Sequence, residues 1–169
     1  SSAASDVYKR QLENNVLRNL TNFNLVSADL SLDVDMSFLR GKNKISSATI
    51  HNFQIGLNKM RGSVKLEENG IYHAKFFGPH LNINRIMSDT LHSNVLQEPY
   101  FIEAIFDDVF LWDLPPIKET ALTIKNFGHY KSNMKLSGNV GNKPLNITSW
   151  LNDEIREFRL SARDAGQVL

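Results

Sequence analysis

Apolar and polar residues alternate over a long stretch near the start of the chain. From Val26 to Phe38, apolar side chains take the even positions, and serine or aspartate takes every odd one. A period of two is typical of a β-strand with one buried and one solvated face, because successive side chains point to opposite faces. The pattern predicts a single strand over 26–38, about 40 Å long at about 3.3 Å per residue.

The same alternation returns in the second half of the chain, over 130–140, 145–151 and 157–162. Turn residues separate the strands: Asn69-Gly70 and Gly141-Asn142 both predict hairpins. Between Ile45 and Leu57 the apolar residues change from even to odd positions, which predicts a β-bulge near His51-Asn52. The fold class is therefore mainly β, built from long amphipathic antiparallel strands.

One segment has helical spacing. Its apolar residues are three or four positions apart, so 83–95 is predicted to be an inserted amphipathic helix. A second helix is predicted to start at Asp164, which would cap it, with Gly166 allowing a close approach to the sheet. We interpret both residues as a structural cap.

Two parts of the chain resemble each other. Residues 48–53 align with 122–127, and 34–38 align with 107–111. We therefore expect two approximate repeats, 24–78 and 100–160, in a sheet that grows by adding units.

Both ends of the sequence suggest an excised piece. Residues 1–11 lack periodicity and resemble a translated adapter sequence that ends in VYKRQ, so we interpret them as a non-native tail. Residues 12–169 are then interpreted as a fragment of a larger protein.

Composition narrows the function classes. The chain has 169 residues, 41% of them hydrophobic, and a net charge of +1, which argues against binding to a nucleic-acid backbone. It contains no cysteine, so disulfides, thiolate metal sites and thiol catalysis are excluded.

No catalytic arrangement emerges from the remaining polar residues. The five histidines lack the spacing of a metal motif, and Asp107 and Asp108 would point to opposite faces of a strand. Asp33 and Asp35 share a face, which we interpret as the solvated side of an amphipathic strand. We expect no enzyme activity, no metal and no cofactor.

The one-sided strands leave three interpretations. The apolar faces could meet in a β-sandwich that is a structural or partner-binding module without a ligand. They could belong to a fragment of an outer-membrane β-barrel, although the aromatic girdles of such barrels are lacking. They could also line an open, curved sheet that forms a trough for acyl chains.

A family resemblance favours the third interpretation. The chain from about 24 to 169 resembles AsmA-like proteins of the bacterial envelope, particularly the YhdP-type branch. The resemblance is carried by Phe76-Phe77-Gly78, the helix-like run after Leu81, the strand 102–111, and the closing Asp164-Ala165-Gly166. Ala162 and Arg163 depart from the family's usual serine or aspartate.

The resemblance implies a repetitive, taco-like β-groove in a periplasmic protein anchored in the inner membrane of a Gram-negative bacterium. It implies phospholipid transport between the inner and outer membranes, with acyl chains as the partner and no cofactor. The residues expected to face the lipid are the apolar positions of the alternating strands: Val26, Leu30, Leu32, Val34, Met36, Phe38, Ile102, Phe106, Leu122, Ile124, Met134, Leu136, Phe158 and Leu160.

Overall fold

The computed structural model of the chain describes residues 3–4, 9–13, 16–42, 44–84, 98–126, 132–152 and 155–162. These residues form twelve β-strands. In chain order the strands are β1 (Ala3–Ala4), β2 (Lys9–Glu13), β3 (Val16–Val26), β4 (Leu30–Phe38), β5 (Ile45–Ile55), β6 (Asn58–Leu66), β7 (Tyr72–Asn82), β8 (Tyr100–Phe110), β9 (Ile117–Asn126), β10 (Ser132–Val140), β11 (Lys143–Asn152) and β12 (Ile155–Ala162).

All twelve strands belong to one open sheet, and the long strands β3 to β12 follow one another in chain order. The two short strands β1 and β2 pair with the outer side of β3, although β1 and the first three residues of β2 belong to the segment that we interpret as a tail. The predictions of a mainly β fold and an open, curved sheet are confirmed.

One pair of neighbouring strands departs from the expected antiparallel arrangement. Strands β7 and β8 are parallel, with Tyr72 opposite Tyr100 and Asn82 opposite Phe110. Parallel neighbours need a crossover of about a dozen residues or more, and the segment 83–99 is long enough to supply it. The predicted helix over 83–95 lies outside the described residues, apart from Ile83 and Asn84.

The prediction of a single strand over 26–38 is wrong. Strand β3 ends at Val26, and β4 begins at Leu30 after a tight turn in which the Ser27 N–H donates to the Leu30 carbonyl at 2.7 Å. Alternation continues through the turn because its residues, Ser27, Ala28 and Asp29, are polar, apolar and polar in order. A strand with one polar face has the same pattern. The pattern therefore extended β4 backwards through the turn to the last residue of β3.

Other local predictions are confirmed. His51 has no partner in the register between β4 and β5, in which Asp33 pairs with Asn52 and Val34 pairs with Ile50. Both predicted hairpin turns connect antiparallel strands, and Gly70 and Gly141 adopt positive φ there. The predicted helix start at Asp164 lies outside the described residues.

The aligned segments of the two expected repeats occupy comparable places in the sheet. Residues 48–53 lie in β5 and 122–126 lie in β9, and each of these strands is antiparallel to the strand before it. The division of the chain into two repeats stays a prediction.

The buried core lies on one face of the sheet, mainly in β7 to β11. Its members are Leu81, Ile83, Ala104, Phe106, Val109, Leu111, Ile117, Leu122, Met134, Leu136, Leu145 and Ile147. Two glycines leave space for aromatic rings on this face. Gly62 lies opposite Phe76, and Gly78 lies opposite Phe106. A Cβ at Gly78 would lie 2.0 Å from the Lys59 carbonyl oxygen and 2.8 Å from the Phe106 ring.

Replacing Gly78 by alanine should therefore destabilise the fold. The added methyl group meets backbone rather than a flexible side chain, so β6 or β7 must shift, and overpacking of this kind costs about 1–3 kcal/mol. Urea unfolding measures the effect. Ser63→Ala, at an exposed position of β6, is the control and should change the stability little. Equal effects of the two changes would contradict the packing assigned to Gly78.

Burial predicts a contrast between two leucines of the same cross-strand row. Leu136 is 2% exposed, whereas Leu160 is 57% exposed. Both are direct cross-strand partners of Ile147, one on each side of β11. Leu136→Ala should lower the free energy of unfolding by about 2–5 kcal/mol. Leu160→Ala should change it by less than about 1 kcal/mol. Chemical denaturation of both variants checks this, and a larger loss at Leu160 would contradict the location of the core.

Candidate functional site

The most extensive functional feature is an apolar face that continues across the ten long strands. Cross-strand partners share a face of a sheet, so the register can be followed from strand to strand. One row of direct partners runs from β3 to β12: Phe23, Val34, Ile50, Gly62, Phe76, Ala104, Leu122, Leu136, Ile147 and Leu160. We call the side of the sheet that carries this row the apolar face.

Thirteen of the fourteen residues expected to face lipid lie on the apolar face. Val34, Leu122, Leu136 and Leu160 belong to the row above, and a parallel row contains Met36, Ile102, Ile124, Met134 and Phe158. Leu30, Leu32, Phe38 and Phe106 continue the same face by alternation along their strands.

Val26 is the exception among these fourteen residues. It pairs with Ser31, whereas its neighbour Leu25 pairs with the apolar-face residue Leu32. Val26 therefore points to the other side, where 55% of it is exposed. The reason is the turn over 27–29. After it, even-numbered residues of β4 share the apolar face with the odd-numbered Phe23 and Leu25 of β3, so Val26 falls on the opposite face.

Exposure of the apolar face changes along the sheet. In the middle, Phe106, Leu122, Met134 and Leu136 are buried, together with Val34 in β4. The other predicted positions of β4 are half-buried. At the last strand, Phe158 and Leu160 are exposed. The structure thus gives a closed apolar core in one part of this face and accessible apolar surface in others.

Curvature accounts for the closed part. The rings of Trp112 and Phe158 are 6.1 Å apart between centroids, in an edge-to-face arrangement. Trp112 follows β8, and Phe158 lies in β12, four strand spacings or about 19 Å away in a flat sheet. The contact therefore requires the sheet to curl over its apolar face. Leu111, next to Trp112, is fully buried in the core cluster.

The opposite side of the sheet, which we call the polar face, is held by cross-strand ion pairs. Asp35 in β4 accepts a hydrogen bond from the Asn22 backbone N–H at 2.6 Å, and its other carboxylate oxygen lies 2.8 Å from His51 Nε2. Asn22 has φ 53° and interrupts the register of β3, while His51 is the bulged residue of β5. One carboxylate on β4 therefore stabilises the bulges of both neighbouring strands.

The charges of this pair shift both titrations. The hydrogen bond from His51, and then that from the Asn22 N–H, lower the pKa of Asp35 below its ordinary value of 3.8. The hydrogen bond to Asp35 raises the pKa of His51 above 6.5. Alternation places Asp35 among the solvated polar positions and gives no sign of this role, because the partners are 13 and 16 residues away in the chain.

A similar arrangement occurs in the second half of the sheet. Asp108 in β8 lies 2.9 Å from Lys118 Nζ in β9 and 3.2 Å from His80 Nδ1 in β7. The hydrogen bond from Lys118 is the main reason why the pKa of Asp108 is lowered. Glu119, next to Lys118, has φ 51°. Asp35 and Asp108 are also aligned positions in the two segments that resemble each other.

A shallow depression on the polar face was not predicted from the sequence. It includes Phe77 and Ile105, which are direct partners in the parallel pair β7–β8, and both are substantially exposed. Consecutive apolar residues, as in Phe76-Phe77 and Ile105-Phe106, depart from alternation and place one apolar side chain on each face of the sheet. This departure was the available signal for the depression.

Among the described residues, no group of three or more histidine, aspartate or glutamate side chains is arranged to hold a metal ion. Within the same part of the chain, no helix has the length and apolar character needed to span a membrane. The predicted structural cap at Asp164 and Gly166 lies beyond the described residues.

The Asp35–His51 pair predicts a pH-dependent contribution to stability. Its histidine part is present below pH 6.5 and is lost as the pH rises through the raised pKa of His51. Its aspartate part is present above pH 3.8 and is lost as the pH falls through the lowered pKa of Asp35. The full contribution is therefore expected between these two values, and both groups are exposed enough for it to be small.

NMR titration of the His51 ring protons tests this pair directly. The midpoint should lie above 6.5 in the original chain and fall in Asp35→Asn, which keeps an acceptor for the Asn22 N–H but removes the charge. Asp33→Asn, two positions along the same strand, should lower the midpoint less, because Asp33 acts on His51 only through a weaker coulombic interaction. A larger effect at Asp33 would contradict the assignment.

Comparisons with known proteins add no identification. No family model, no curated protein and no solved structure matches the chain. The proposed function therefore rests on the geometry of the sheet and its two faces. The AsmA-like resemblance stays an expectation from the sequence.

Proposed function

We propose that this chain is a segment of a periplasmic protein in a Gram-negative bacterium, anchored elsewhere in the inner membrane, that conducts phospholipid between the inner and outer membranes. In this proposal the apolar face is the wall of a groove for acyl chains, and the polar face is turned to water. The segment itself needs no catalytic group, metal or cofactor for this task.

The observation that supports the proposal is the continuity of the apolar face. Its rows cross from β3 to β12 with an apolar residue or glycine at almost every strand, while the polar face carries the ion pairs of Asp35 and Asp108. A surface of aliphatic side chains favours an acyl chain by about 0.8 kcal/mol per buried methylene. It makes no directional contact, so a chain can slide along it while the headgroup stays hydrated.

The accessible parts of the apolar face are where lipid would bind. Leu32 and Met36 in β4 are half-buried, and Phe158 and Leu160 in β12 are exposed. By contrast, Phe106, Leu122, Met134 and Leu136 are too deeply buried to touch a ligand in this conformation. We therefore restrict the proposed lipid contacts to the β4 and β12 ends of the predicted set.

A second candidate function is a structural or partner-binding β-module without a ligand. It is favoured by the same buried cluster, since residues such as Phe106 and Ile147 form an ordinary dry core. In this case the exposed residues of β12 would contact protein rather than lipid.

Photocrosslinking in cells separates the two candidates. A photoreactive amino acid placed at Leu32 or Leu160 should capture phospholipid, because both positions are accessible on the apolar face. The captured material is identified by mass spectrometry.

Each position has a matched control on the polar face of the same strand. Asp33 is next to Leu32, and Ser161 is next to Leu160, and both controls should capture no lipid. Capture of protein alone at the apolar positions would favour the module without a ligand. Equal lipid capture on both faces would contradict the groove.

A further inference from the structure

The register of the strands brings basic residues together on the polar face, although these residues are scattered in the sequence. One row of direct partners on this face runs from Ser63 in β6 to Arg159 in β12, and the neighbouring row runs from Lys65 to Glu157. A third row begins with Arg61, which lies opposite Phe77. The basic residues of these rows, which we call the basic patch, are Arg61, Lys65, Lys75, Lys125, Lys135 and Arg159.

The charges of the basic patch are not neutralised by the described part of the chain. All six residues are exposed, and none forms an ion pair with a described carboxylate. The first two rows contain only two acidic residues, and other groups contact both. Glu103 lies 2.7 Å from His73 Nε2, and Glu157 accepts a hydrogen bond from the Trp150 indole N–H. The net charge of +1 for the whole chain therefore hides an excess of positive charge on this part of the polar face.

The basic patch is broad and lies on a convex surface. It extends from β6 to β12, which is about 29 Å across a flat sheet whose strands lie about 4.8 Å apart. Cations spread this widely cannot converge on one phosphate group, so they fit an extended anionic surface rather than a small anion. The sheet curls over its apolar face, as the contact between Trp112 and Phe158 shows, and the polar face is therefore convex.

An exposed apolar pair lies within the basic patch. Phe77 and Ile105 are direct partners on the polar face and are 42% and 56% exposed. The strands on either side of this pair carry basic residues, Arg61 in β6 and Lys125 in β9. Protein surfaces that bind membranes combine apolar residues that enter the interface with basic residues that attract anionic lipids. The polar face has both features on the same convex surface.

The aromatic rings of the two rows favour lipid over single-stranded nucleic acid. Proteins that bind single strands stack bases on accessible aromatic rings. Here Lys125 Nζ lies 5.1 Å from the centroid of the Phe101 ring, and the Arg159 guanidinium lies 5.9 Å from that of Trp150. The His73 ring also contacts Phe101, at 4.9 Å between centroids. These rings hold cations in place rather than offering a surface to a base.

We propose that the polar face between β6 and β12 binds the surface of a lipid bilayer that contains anionic headgroups. The basic patch attracts the headgroups, and Phe77 and Ile105 enter the interface between headgroups and acyl chains. The headgroup layer is hydrated, so the polar side chains stay in contact with water. The site is on the opposite side of the sheet from the proposed groove and therefore stands or falls separately from it.

Co-sedimentation of the full chain with vesicles tests the charge requirement. Phosphatidylcholine vesicles with added phosphatidylglycerol should bind the chain, and phosphatidylcholine alone should bind it much less. About 1 M salt should abolish the difference, because the Debye length falls to about 3 Å. Lys75→Gln and Lys135→Gln should each weaken binding to the anionic vesicles about fivefold. Lys42→Gln removes the same charge from the exposed turn between β4 and β5, and this control should have a smaller effect.

Three results of this experiment would overturn the proposal. The first is equal binding to both kinds of vesicle, and the second is an equal loss of binding in the control Lys42→Gln. The third is binding to a single-stranded oligonucleotide but not to the anionic vesicles, which would assign the basic patch to nucleic acid.

A fluorescent label identifies the surface in contact with the vesicles, and the chain has no cysteine of its own. An environment-sensitive fluorophore on Ile105→Cys should brighten when anionic vesicles are added, because this position enters the interface. The matched control is Leu57→Cys, an exposed apolar position in the turn between β5 and β6, where the label should change less. Vesicle binding without a change at Ile105→Cys, or with an equal change at Leu57→Cys, would overturn the proposal.

Discussion

The constraint on which the structure depends is the register that keeps apolar residues opposite one another across ten strands. A slip of one residue at any pair would turn all later strands over and place leucine and isoleucine beside lysine and aspartate. The row from Phe23 to Leu160 shows that no such slip occurs. Bulges satisfy this constraint where strands change direction, because each absorbs one residue without turning the rest of the strand to the wrong face.

The polar face has its own part in holding this register. Asp35 and Asp108 each lie on a strand between two others and bind groups on both neighbours. Individually, exposed ion pairs contribute little to stability. Their position matters more, because Asp35 binds both Asn22 and His51, the residues at which β3 and β5 are irregular. These carboxylates therefore hold together strands that are irregular in register, and hydrophobic packing supplies most of the stability.

Alternation in the sequence was sufficient to predict most of β4 to β12, the apolar face and the bulge at His51, because a period of two is a local property of the chain. It was insufficient at Val26, where a polar turn imitates a strand, and at β7–β8, where pairing depends on a distant connection. Alternation could not predict burial either. Leu136 and Leu160 occupy equivalent positions in their alternating strands, and only the curvature of the sheet makes Leu136 a core residue and leaves Leu160 exposed. The Trp112–Phe158 contact that records this curvature joins residues 46 positions apart (158 − 112).

Curvature also explains why a uniform apolar face produces two kinds of surface. Residues near Phe106 and Ile147 are covered because the sheet curls over them, and they act as a core. Residues of β12 lie at the margin, where no further strand of the described chain continues the curl, so the same side-chain chemistry is left accessible. Whether a leucine of this face is a core residue or accessible surface therefore follows from its place in the curled sheet rather than from its residue type.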